Sequence, residues 1–154
     1  MRTLPMEQLY PLLAEQMEGG GSCLLAVTGS SMLPTLRQGR DTVVLRRPEE
    51  PRRGDLILYR RESGQYVLHR IIRHAGRDYL CCGDNQRQTE RVKREQILAV
   101  VSAVRRGGRL LSTRSFGWRL WSRLWLALFP ARRPILWARR RLGRLRQIRK
   151  NGRR

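Results

Sequence analysis

The stretch TGSSMLPTL, residues 28–36, places two adjacent serines directly after the apolar run CLLAV. A serine hydroxyl becomes a nucleophile when a base removes its proton and backbone N–H groups receive the oxyanion. Gly29 permits the backbone angles of a sharp turn. Pro34 keeps the preceding residue extended and prevents a helix, and Met32 fits an apolar floor beneath the turn. On spacing alone, however, a polar loop between two strands is the simpler interpretation.

The stretch YVLHRIIR contains a candidate base, His69. Alternate residues of a strand share a face, so Val67 and Ile71 lie on either side of His69. An imidazole between apolar neighbours is partly desolvated, which favours its neutral form, and neutral imidazole can accept a proton from a hydroxyl. Because most strand histidines are structural, His69 becomes a candidate base only in combination with the serine.

The elements that must position these residues are mostly strands. Residues 6–18 predict a short helix with Leu9, Leu12, Leu13 and Met17 on one face. Pro11 limits the first turn, so the helix could start at Pro11. The glycines at 19–21 end the helix. Short runs rich in Val, Ile, Leu and Tyr, separated by turn signals, then predict a compact, mostly β domain. These runs are 23–28, 42–46, 55–60, 66–73, 78–82 and 97–104. We divide the chain into a helix and Gly-rich turn (1–21), a β domain (22–112) and a tail (113–154).

Four ordered motifs, GSSMLPTL, RRGDLILY, YVLHRII and CCGDNQ, resemble those of the signal peptidase I group of serine peptidases. That group is related to the self-cleaving domain of LexA-type repressors, in the combined S24/S26 set. The resemblance runs from about Cys23 to Val104. It implies a compact signal peptidase/LexA-like β domain and a serine-type endopeptidase.

The resemblance also assigns roles around the serines. The family's nucleophile immediately precedes the methionine, which implies Ser31, with Ser30 as its neighbour and Met32 and Pro34 as supporting residues. The Ser31 backbone N–H belongs to the implied oxyanion hole. Some members add a serine hydroxyl two residues earlier; here that position is Gly29, so a backbone group must serve.

The implied base is His69, in a His69-Arg70 pair where most bacterial members have Lys-Arg. This pair resembles the archaeal and endoplasmic-reticulum branch, in which an acid orients the histidine. That branch places the acid six residues beyond the aspartate of its Gly-Asp-Asn box, a position held here by Glu90. Because Glu90 replaces an aspartate, either Glu90 or Asp84 of the box could orient His69, or the site could be a dyad.

Neither a cofactor nor a metal site is expected. The three cysteines, Cys23, Cys81 and Cys82, have no zinc-site spacing, and reduced thiols fit a cytosolic protein. Three glutamates interrupt the apolar residues near the N-terminus, so neither a signal peptide nor a membrane anchor is predicted. We therefore expect a cytoplasmic location, at most peripheral to the membrane.

The C-terminal part is strongly basic. Residues 105–154 hold 17 Lys and Arg and no acid, whereas residues 1–104 net only +4. All four tryptophans lie there, and Pro130 and Pro134 divide the segment into two short helices, the second from about Ile135. Such a tail suits an anionic membrane surface. Packing of the tryptophans on the domain is an equal alternative, and nucleic-acid binding is disfavoured because no such motif is present.

The function expected from these features is a Ser-His endopeptidase that cleaves a leader or signal segment from a peptide or preprotein. The alternative is a non-catalytic binding module that carries a basic tail to membrane or nucleic acid. A LexA-like self-cleaving regulator is disfavoured, because that group uses lysine as base and no helix-turn-helix precedes Ser31.

Overall fold

The computed structural model describes residues 5–131 and residue 134. Helix α1 spans Met6–Met17. The helix predicted over 6–18 is confirmed. The alternative start at Pro11 is wrong, because the helix passes through Pro11, which lies on its exposed side. Leu13 and Met17 are buried, but Leu12 is 52% exposed, so its predicted place on the packed face is also wrong. The helix gives way to the glycines at 19–21, as predicted.

The remainder of the described chain is mostly β, as predicted. All six predicted strand segments are present, with ends shifted by up to two residues. Two further short strands, Glu90–Val92 and Arg109–Ser112, were not predicted. In chain order the strands are β1 (Ser22–Ala26), β2 (Asp41–Arg46), β3 (Leu56–Arg60), β4 (Tyr66–Ala75), β5 (Asp78–Cys82), β6 (Glu90–Val92), β7 (Ile97–Arg106) and β8 (Arg109–Ser112).

The strands form one antiparallel sheet in the order β1-β2-β7-β3-β4-β5-β6. The first half of β7 pairs with β3 and the second half with β8. Strand β3 is buried on both faces: Leu56 and Leu58 belong to a core with α1 and β2, and Ile57 and Tyr59 to a second core with β4 and β5. The central position of β3 makes it a rigid support for its neighbour β4.

The described part of the tail contains helix α2, Phe116–Ala127. Ser115 is its N-cap, and the Ser115 hydroxyl accepts a hydrogen bond from the Trp118 N–H. Leu126 is buried against Ile72 and Cys82 of the β domain, and Trp125 is buried and stacks on Trp121. The helix predicted from about Ile135 lies outside the described residues. Within the described ranges no helix is long and apolar enough to cross a membrane.

Candidate active site

Strand β4 directs His69 and Arg70 to opposite faces of the sheet. His69 pairs in register with Ile57, on the face of the second core, and Arg70 pairs with Leu56. Both side chains are buried, at 2% and 0% exposure. The predicted alternation holds as far as Ile71, beyond which a bulge shifts the register of β4 against β5. Two adjacent residues therefore enter two separate polar networks.

The His69 ring is held from its Nδ1 side. Nδ1 lies 3.0 Å from the Tyr59 hydroxyl and 3.2 Å from Glu90 Oε1. The Tyr59 hydroxyl in turn donates to Glu90 Oε1. Arg61 completes the group, because its Nε and Nη2 each donate to the Glu90 carboxylate at 2.8 Å. The arrangement fixes the ring plane and favours a proton on Nδ1, which leaves Nε2 free to act as a base.

The electrostatics of this group keep the imidazole neutral and the carboxylate charged. Burial lowers the pKa of His69 below its ordinary value, and the nearby Glu90 charge only partly offsets this effect. Burial by itself raises the pKa of Glu90, but hydrogen bonds from Arg61 and Tyr59 outweigh it, so the pKa is lowered. Burial, reinforced by Glu90, raises the pKa of Tyr59. At neutral pH the group is thus a neutral histidine, a protonated tyrosine and an ionised glutamate.

The serine loop between β1 and β2 is fixed by the loop after β5. The Ser31 carbonyl accepts from the Asn85 N–H at 2.7 Å, and the Ser30 carbonyl accepts from Asn85 Nδ2 at 3.1 Å. Met32 is buried in the first core, whereas Ser30 is exposed and Ser31 is half-buried. The next peptide bond, Leu33–Pro34, is cis. The loop therefore anchors Met32 beneath and leaves Ser31 at the surface of the turn.

Gly83 lies where the serine loop and His69 meet. A Cβ atom added at Gly83 would stand 2.7 Å from the Ser31 carbonyl oxygen and 3.1 Å from His69 Nε2. The Ser31 carbonyl oxygen and His69 Nε2 therefore both border the space that a side chain at Gly83 would occupy. The Ser31 hydroxyl makes no hydrogen bond to His69 here; such catalytic contacts often tighten only when substrate binds.

The two backbone N–H groups predicted for the oxyanion hole, those of Gly29 and Ser31, differ in whether they already donate a hydrogen bond. Gly29 has φ +73° and donates its N–H to Gln38 Oε1 at 2.9 Å, so this amide is already occupied. The Ser31 N–H has no protein acceptor among the residues that the structure describes. Of the two, only the Ser31 amide is open to a substrate oxygen.

The second network places Asp84 away from His69. Arg70 donates from Nε and Nη2 to the two Asp84 carboxylate oxygens at 2.9 and 2.8 Å, and both side chains are fully buried. The Thr35 hydroxyl also donates to Asp84, and Arg70 Nη1 donates to the Gly54 carbonyl at 2.9 Å. Of the two candidate acids, Glu90 is the one beside His69. Asp84 instead joins the four sequence motifs into one framework.

Helix α2 extends this framework, a contribution that sequence reasoning missed. Arg70 Nη1 donates to the Ser122 hydroxyl at 2.8 Å, and Trp121 Nε1 donates to the Thr35 hydroxyl at 3.0 Å. Tyr59 was missed as well, although its alternation with Ile57 in LILYR could have placed it on the face of His69. Trp118 and Trp121 thus contact the domain, whereas Trp137 lies outside the described residues.

All three cysteines are buried, and none forms a disulfide. Burial raises the pKa of Cys81 to about 12, so its thiol stays protonated at neutral pH. No cluster of potential metal ligands occurs in the described part of the chain.

Comparison with protein families gives one match: residues 3–104, more than half of the chain, match the family described as Peptidase S24-like. The matched range contains Ser31, His69, Asp84 and Glu90 and ends before α2. No curated protein and no solved structure matches the chain. The match confirms the wider family of the resemblance, while the histidine-base branch of signal peptidases stays a prediction.

Proposed function

Because the chain belongs to the Peptidase S24-like family, we propose that it is a serine endopeptidase with Ser31 as nucleophile and His69 as base. The observation that supports the proposal is the buried imidazole of His69, which Tyr59 and Glu90 hold at Nδ1. Its Nε2 and the Ser31 carbonyl oxygen both border the space above Gly83.

In the first step, His69 Nε2 accepts the Ser31 proton as Oγ attacks the scissile carbonyl. The Ser31 N–H donates to the oxyanion that forms. His69 then returns the proton to the leaving amine, and the C–N bond breaks to leave an acyl-enzyme. Water, deprotonated by the same Nε2, attacks the ester. Nε2 then returns this proton to Ser31 Oγ as the acyl C–O bond breaks, which releases the carboxylic acid and regenerates Ser31.

Tyr59 and Glu90 support His69 during both proton transfers. The imidazolium formed in each step gains an attractive interaction with the Glu90 carboxylate 3.2 Å from Nδ1. The Tyr59 hydroxyl accepts from Nδ1–H and keeps the ring oriented. Arg61 holds Glu90 ionised and in place, so that the carboxylate stabilises the charge without taking the proton.

The substrate class follows from the four ordered motifs, which resemble those of signal peptidases. We propose a leader or signal segment on a peptide or preprotein as the substrate. The alternative function is a non-catalytic binding module that retains the fold.

Cleavage of a library of leader-bearing peptides, read by mass spectrometry, tests the proposal. Ser31→Ala should abolish cleavage and His69→Ala should reduce it at least ~100-fold, the scale of a lost general base. Ser30→Ala is the matched control, since Ser30 is the exposed neighbour and should keep activity. Cleavage by Ser31→Ala at the wild-type rate would refute the assignment, and no cleavage by the wild type would favour the binding module.

A further inference from the structure

Helix α2 has two dissimilar faces. Its inner face packs on the β domain through Leu126, which is 8% exposed, and also carries Trp125, which is 5% exposed. Its outer face carries Phe116, Leu120 and Leu124, which are 82%, 55% and 50% exposed. Residues four apart lie on one side of a helix, so these three side chains form a continuous apolar stripe opposite the packed face.

This stripe is more than ordinary surface apolarity. Single exposed leucines are normal on soluble proteins, but contiguous exposed apolar groups mark interaction sites. Among the described residues, half of the large apolar side chains that are exposed lie on this one 12-residue helix. The other three, Leu12, Leu24 and Leu110, lie on three different elements.

The charge beside the stripe is uniformly positive. Arg119 and Arg123 are exposed and follow Phe116 and Leu120 by three residues, which puts them along one edge of the stripe. No acidic residue occurs anywhere in 105–154. A row of exposed apolar side chains with guanidinium groups along one edge complements a surface that has an apolar interior beneath a layer of negative charge.

We propose that the outer face of α2 (Phe116, Leu120 and Leu124 with Arg119 and Arg123) docks on the surface of a membrane containing anionic lipid. The apolar side chains enter the boundary of headgroups and acyl chains, and the arginines bind lipid phosphates. The helix lies in the plane of the surface, since twelve residues are too few to span it.

Two other occupants fit the face less well. Nucleic acid would bind the arginines but would not cover the apolar stripe. A second copy of the chain, related by two-fold symmetry, would bring the same arginines of both copies to one interface without any acid on the helix. Lipid docking also lets the inner face keep its bonds to Thr35 and Arg70, so the helix need not leave the domain. The proposal does not depend on the chain being an active peptidase.

Sedimentation of the full chain with lipid vesicles tests this proposal. One vesicle is phosphatidylcholine alone and the other contains equal parts of phosphatidylcholine and phosphatidylglycerol. The wild type should bind the anionic vesicle, and the triple variant Phe116→Ser, Leu120→Ser, Leu124→Ser should bind it at least ~10-fold more weakly, since three apolar side chains no longer enter the lipid. The matched control is Leu12→Ser with Leu24→Ser, which removes similarly exposed leucines elsewhere and should bind like the wild type.

A second measurement places the helix itself in the lipid. The native cysteines are buried, so Leu120→Cys can be labelled with an environment-sensitive dye, with Leu12→Cys as the control. A blue shift on adding anionic vesicles is expected for the dye at position 120 and none at position 12.

Several results would overturn the proposal. The first two are equal vesicle binding by the triple variant and the wild type, and a dye at position 120 whose emission does not shift. The third is a wild type that binds duplex DNA but not vesicles. The fourth is a wild-type dimer that the triple substitution converts to a monomer. Circular dichroism and thermal melting must first show that the triple variant is folded, as expected for three exposed positions.

Discussion

Gly83→Ala should slow peptide cleavage by separating the serine loop from His69. The added Cβ would lie 2.7 Å from the Ser31 carbonyl oxygen, although ordinary contacts begin at 3.4 Å, so a backbone atom must retreat by more than half an ångström. The Ser31 carbonyl cannot simply turn away, because the Asn85 N–H holds it at 2.7 Å. His69 Nε2, 3.1 Å from the same Cβ, is crowded too. The added methyl group should therefore increase the distance between the serine loop and the His69 ring.

The expected loss can be scaled from this displacement. A misplacement of ~1 Å at a reacting centre can reduce rate by ~100-fold. A shift of somewhat more than half that size should lower kcat/KM by about 10- to 100-fold, or ~1.4–2.7 kcal/mol of transition-state stabilisation. Overpacking should cost about 1–3 kcal/mol in the free energy of unfolding, which leaves a domain of ordinary stability folded.

The assay compares peptide cleavage rates with urea unfolding for Gly83→Ala and a matched control, Gly117→Ala. Gly117 lies in α2, does not have a positive φ, and a Cβ there would meet nothing within 4 Å. The control should keep full activity and gain up to ~1 kcal/mol in stability from the better helix former.

Full activity in folded Gly83→Ala would show that the approach of the two loops at Gly83 does not position Ser31 and His69. If Gly83→Ala fails to fold, Asn85→Ala tests the same pair of loops without added volume, because it removes the side-chain hydrogen bond to the Ser30 carbonyl; full activity in that variant would contradict the same expectation.

Three further predictions concern the two polar networks. The activity of the wild type should fall as the pH drops through a value below 6.5, because burial lowers the pKa of His69 and the base must be neutral. Glu90→Gln removes a negative charge that raises the pKa of His69. This variant should therefore have a lower kcat, and the acid limb of its pH–rate profile should move to lower pH. Asp84→Asn should cost about 3–5 kcal/mol in urea unfolding because it leaves the buried Arg70 charge uncompensated, whereas Glu90→Gln, at a part-exposed site, should cost less than ~1 kcal/mol; equal costs would contradict the division of roles. Tyr59→Phe should reduce kcat about tenfold with KM unchanged, because one hydrogen bond to the ring is lost while Glu90 still holds it; an unchanged kcat would remove Tyr59 from the mechanism.

The main strands were predictable because each is a local run of Val, Ile, Leu and Tyr bounded by turn signals. The runs that became β3, β4 and β7 carry enough apolar residues to be recognised without tertiary information. Strand β6 (Glu90–Val92) has only three residues, two of them charged, and its pairing with β5 depends on a neighbour rather than on its own pattern. Pro11 misled the prediction of the helix start, because an exposed proline can be accommodated within a helix that packs well on its other side.

The site was predictable as a set of motifs but not as two networks. Motif order indicated that Ser31, His69 and the acids belong together. Which acid faces His69 depends on the register of β5 with β6, which pairs Cys81 with Glu90. The link from Trp121 to Thr35 spans 86 positions and arises only when α2 packs on the domain. Local sequence carries no signal for such a contact.

Covalent labelling with a peptidyl phosphonate, followed by peptide mapping, tests most directly whether His69 activates Ser31. The wild type should form one phosphonate ester, on Ser31, at a rate that His69→Ala lowers at least ~100-fold, and Ser30→Ala should label like the wild type. Labelling of Ser30 in place of Ser31, or a labelling rate that His69→Ala leaves unchanged, would contradict the Ser31–His69 mechanism.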